Sequence, residues 1–60
     1  MKYTEVKKEY VIEKIAKGDI ILCCNFDTKQ MHYCNDMTVA DILNLINYAN
    51  ALFFVETAAE

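Results

Sequence analysis

Sixty residues with a formal charge of −3 make one domain at most, and a chain this short buries only about 60% of the surface that its unfolded form exposes. Hydrophobic residues at 55% exclude a disordered tail, and a single glycine with no proline excludes linkers, collagen-like repeats and glycine-rich phosphate loops. Six lysines against nine acids, with no arginine, leave no basic cluster for nucleic acid or for anionic lipid.

Residues 2 to 6 read two ways, as a short strand or as the lead into a helix, with Tyr3, Val6 and Tyr10 off the helix's apolar face. Residues 9 to 17 carry helical periodicity: Val11, Ile12, Ile15 and Ala16 share a face, Glu13 and Lys17 form an i,i+4 pair, and Gly18 is a natural C-cap. The spacing favours a domain that starts with this helix. An extra strand ahead of it would make the element order βαββαβ.

A hairpin follows. Residues 20 to 26 and 31 to 34 are rich in β-formers, with Asp27, Thr28, Lys29 and Gln30 as turn material. A two-residue or four-residue loop centred on Thr28 and Lys29 sets Phe26 opposite Met31 and Cys23 opposite Cys34. Ile20, Leu22, Cys24, Phe26, Met31 and Tyr33 then share one side, the more apolar one, which is expected to meet the helices. Ile21, Cys23, Asn25, His32 and Cys34 share the other.

The clearest element is a helix over residues 38 to 50. Thr38 and Asp41 resemble a capping box, Met37 can staple onto Ile42, and Val39, Ile42, Leu43, Leu45, Ile46 and Ala49 form one stripe. Asn50 is a reasonable left-handed stop. Residues 51 to 57 then read as a strand apolar on both faces, running into a frayed tail of Ala58, Ala59 and Glu60. The expected architecture is an α+β domain over residues 1 to 60, αββαβ, with two helices on one face. Its sheet is three-stranded and antiparallel, with the Ile20 strand in the middle (order 2-1-3).

Cys23, His32 and Cys34 are the only soft-ligand cluster, and the expected register brings them to one sheet face. No Cys-x-x-Cys spacing supports zinc, and buried cysteines act as small hydrophobes. The reading is therefore no metal, no cofactor and no catalysis, with a thiol- or metal-dependent protein using these three residues as the alternative. The larger anomaly is apolar. Phe53 and Val55 in the core would put Leu52 and Phe54 with Ile21, Cys23 and Cys34 on a far face that two helices cannot cover. These five residues are the expected interface of a homo-oligomer.

The function expected is a non-catalytic protein-interaction module, a homodimer, serving as an inhibitor or adaptor. Nine charges in the first nineteen residues are too many for a secretory signal, and the longest apolar runs are only five residues. The expected location is cytoplasmic, with no membrane partner. Three cysteines, an odd number, fit that compartment. Lysine without arginine, with frequent Ile and Asn, is the residue usage of a low-GC bacterium, phage or mobile element.

Overall fold

A computed structural model describes residues 2–58. Strand β1 (Lys2–Val6) leads through a 3-10 turn at Lys8–Tyr10 into α1 (Val11–Ala16). Strands β2 (Ile20–Asn25) and β3 (Gln30–Tyr33) form the hairpin, and a second 3-10 turn, Cys34–Asp36, precedes α2 (Val39–Tyr48) and β4 (Ala51–Thr57). The four strands make one antiparallel sheet in the order β1-β4-β2-β3. The class is α+β, as the sequence indicates. The expected run of β3, β2 and β4 is present, with β1 added outside β4. Ala59 and Glu60 of the expected tail lie outside the described residues.

The two helical connections interlock. β4 lies between β1 and β2, the strands that α1 joins, and β2 lies between β3 and β4, the strands that α2 joins. Both helices therefore serve one core, in which Val11, Ile21, Cys23, Cys34, Ile42 and Phe53 meet in a single cluster.

Local chemistry explains the helix ends. The Thr38 hydroxyl accepts from the Asp41 amide at 3.2 Å, satisfying one orphan donor of α2, and Asp41 lies at the positive end of the helix dipole. Gly18 (φ 94°) closes α1 in a Schellman motif: its amide donates to Ile15 O at 3.0 Å, and the Asp19 amide donates to Lys14 O at 3.0 Å. Lys17 and Glu13 pair at 3.6 Å on the exposed side. Asn50 does not stop α2 in a left-handed conformation. The chain instead turns extended at Ala49, and the Asn50 amide donates to Asp27 Oδ2 at 2.9 Å.

Candidate functional site

Register fixes what each sheet face carries. On one face Val6, Phe53, Cys23 and His32 form a row across the four strands, with Val55 opposite Ile21 in the next. The helices cover this face, and Ile21, Cys23 and Phe53 are buried in it. The other face carries three rows: Tyr3, Glu56 and Ile20; then Glu5, Phe54, Leu22 and Tyr33; then Leu52, Cys24 and Met31. No element of the described residues packs over it. Met31 is 65% exposed and Phe26, just past β2, 52%.

This inverts the expected faces of the hairpin. Ile20, Leu22, Cys24, Met31 and Tyr33 do lie together, but on the open side. Ile21, Cys23 and Cys34, expected on the outer interface, are fully buried beneath the helices. The expected faces of β4 hold, with Phe53 buried and Leu52 on the open side. The inversion comes from pairing. Cys23 lies opposite Phe53 and Leu22 opposite Phe54, one residue away from the alignment that the larger side chains of β2 would select. A one-residue slip exchanges every side chain between faces. Core volume gives a reason for this register: Phe53 fills the space under the helices, and β2 needs only Ile21 and a small thiol there.

The hairpin turn also differs. Asn25 pairs with Gln30, which leaves residues 26 to 29 as a four-residue connection, and Cys23 lies opposite His32 rather than Cys34. Lys29 takes the left-handed position (φ 59°), and Asn25 Oδ1 accepts from the amides of Asp27 at 2.9 Å and Thr28 at 3.3 Å. Cys34 leaves the sheet altogether and folds under in the 3-10 turn. The Asn35 side chain continues the ladder in its place, accepting from the Ile21 amide and donating to Asp19 O, both at 2.9 Å.

The soft-ligand cluster is divided accordingly. Cys23 and Cys34 touch inside the core, where burial raises both thiol pKa values, that of Cys34 to about 12. His32 sits on the edge strand, exposed, with its ring 3.1 Å from Gln30 Oε1. Among the described residues no three His, Cys, Asp or Glu side chains converge as a metal site.

Two adjoining hollows mark the open face. One, of about 320 Å³, is lined by Cys24, Phe26, Lys29, Met31 and Phe54 together with Asn25 and Gln30. The other, of about 280 Å³, shares Cys24, Met31 and Phe54 and adds Leu22 and Tyr3. A polar cluster closes the far end, where the hydroxyls of Tyr3 and Tyr33 both donate to Glu56 Oε1 at 2.8 Å. Donation to that carboxylate holds the Tyr33 phenol protonated well above its ordinary range. Chemically the face is an apolar floor with the tyrosine-bound Glu56 at one end, Lys29 at the other and Glu5 on its β1 edge. It offers neither a nucleophile activated by a base nor an enclosed cleft.

Comparison of the chain with protein-family models, curated proteins and solved structures gave no match. No helix of the described residues is long and apolar enough to cross a membrane. Sequence reasoning singled out Leu52 and Phe54 for this face but missed Tyr3, Leu22, Cys24 and Met31. The signal for Tyr3 was the β1–β4 pairing, which sets it beside Glu56, more than fifty positions away.

Proposed function

We propose that the chain is a non-catalytic protein-interaction module that dimerises through the open face of its sheet. The observation that carries this reading is one-sided coverage: both helices pack on the Phe53 side, leaving Phe26, Met31 and Leu52 exposed and Phe54 half-buried. Monomers rarely expose such a floor. Each large side chain there contributes roughly 1.5 to 3 kcal/mol on full burial. Four strands about 4.8 Å apart and some 20 Å long give a patch of about 400 Å² in projection. Two such patches total about 800 Å² in projection, below the size of stable interfaces, so the dimer is a weak one.

In this reading the module works in the cytoplasm as an adaptor or inhibitor, its three cysteines staying reduced. The test is light scattering across micromolar concentrations. Wild type should move from about 7 to about 14 kDa, since each chain weighs 6.9 kDa. Phe54→Asp should stay at the monomer mass, while Asn44→Asp, on the exposed side of α2, should behave as wild type. A wild-type monomer up to several hundred micromolar would refute the dimer.

A further inference from the structure

We propose that the second copy docks in one register, with Lys29 of each copy set against Glu56 of the other; this rests on the open face being the dimer surface. Glu56 belongs to an inner strand, flanked by Tyr3 of β1 and Ile20 of β2. Both tyrosine hydroxyls bind the same oxygen, Oε1, and none of the described residues donates to Oε2. In water that oxygen is hydrated. Closing an apolar face over it strips the hydration, and a carboxylate left half-satisfied in an interface costs far more than a neutral group does. Among the ways two such floors can stack, the one that supplies a cation to Oε2 is selected.

Lys29 is the cation this face provides. It lines the 320 Å³ hollow with Phe26, Met31 and Phe54, and no ion pair holds it among the described residues. Its left-handed turn position places it at the end of the face away from Glu56. By strand geometry the two residues lie about 20 Å apart along the strands and roughly 10 Å across them. A two-fold axis in the interface plane, bisecting the line between them, lays each Lys29 over the other copy's Glu56. That line crosses the face diagonally, so its midpoint falls on β2 between Leu22 and Cys24. The pairing therefore coincides with nearly full overlap of the apolar floors.

Two rival pairings fit less well. Glu5 lies in the Phe54 row but on the edge strand β1, where its carboxylate keeps its water after closure. Lys7 follows β1 and lines neither hollow. Pairing Lys7 with Glu56 would shift the axis toward β1 and leave Phe26 and Met31 uncovered.

Reciprocity makes the test sharp. Lys29→Glu alone and Glu56→Lys alone each set like charges together at both contacts and should weaken self-association at least roughly tenfold. An equimolar mixture of the two variants restores both opposite-charge contacts, so it should regain the dimer mass. Glu5→Lys keeps both contact residues, so alone it should dimerise as wild type does. Glu56→Lys also removes the acceptor of two tyrosines, so circular dichroism must first show its fold intact. Independently of any variant, carbodiimide cross-linking of mixed light- and heavy-isotope wild-type protein should give Lys29–Glu56 peptide pairs carrying one label of each kind. A wild-type dimer whose mixed variants stay monomeric, or whose cross-links join Lys29 to Glu5, would overturn this register and leave the dimer standing. A wild-type monomer overturns both.

Discussion

The three cysteines separate by environment although two of them are sequence neighbours. Cys23 and Cys34 are buried together, and Cys24 lies half-exposed on the open face. A buried, protonated thiol is a poor nucleophile. Native protein dilute enough to be monomeric, treated with an alkylating agent at pH 8, should therefore be modified first at Cys24, with the other two reacting only as the chain unfolds. Intact-mass spectrometry counts the labels, and early modification of Cys34 would contradict its burial. The same burial makes stability depend on alkaline pH. Cys34 rises from 9.0 to about 12 in the folded chain, because burial and the adjacent Cys23 thiol both oppose a thiolate. Below pH 9 both states keep the proton, so the folded state's advantage is whole. Between pH 9 and 12 the unfolded chain releases a proton that the folded chain holds, so stability falls as pH rises. The Tyr33 phenol, also raised, acts in the same direction. Denaturant melts at pH 8 and pH 10.5 should show this loss, and Cys34→Ala should lessen its slope.

At the scale of elements, α2 was the most legible part of the chain because its signals are local. The cap, the apolar stripe and the staple residue lie within a dozen positions. Thr38→Ala should cost about 1 kcal/mol, read from the denaturation midpoint, since it frees the Asp41 amide and removes little packing. An unchanged midpoint would place the helix start elsewhere. Gly18 and the Glu13–Lys17 pair were legible for the same reason. β1 was not. Its alternation of Lys, Tyr, Thr, Glu and Val is weakly amphipathic, and only pairing with β4 makes it a strand. The faces of the hairpin failed for a related cause. Alternation sorts side chains into two sets, but which set faces the helices depends on alignment with β4, a contact the hairpin residues do not encode. Cys34 misled further, because Asn35 takes over the strand's hydrogen bonds and lets the chain turn inward one residue early.

For the whole molecule, the site was legible as an imbalance: more large apolar side chains than two short helices can cover. Its composition was half legible, since Leu52 and Phe54 follow from β4 alone while Ile21, Cys23 and Cys34 were assigned to the wrong side. A dimer closed by this face gains stability by mass action, because only folded chains associate. The melting temperature of wild type should rise with protein concentration from 1 to several hundred micromolar, whereas that of Phe54→Asp should not. Scanning calorimetry across that range reads the difference. A wild-type midpoint independent of concentration would count against association coupled to folding.

The place of β4 in the sheet has a consequence for synthesis. It is the last of the four strands to be made, yet it is the partner of β1 and an inner neighbour of β2. Until residues 51 to 57 have emerged, only the β2–β3 hairpin can pair, and β1 has no partner at all. A lone hairpin is marginal in water, so the nascent chain gains little structure as it grows. A ribosome that stops before β4 releases Ile21, Leu22 and Cys23 unburied on an open strand edge, the kind of surface that seeds aggregation or attracts proteases. Assembly of the sheet thus waits on β4, the strand that joins β1 to the hairpin.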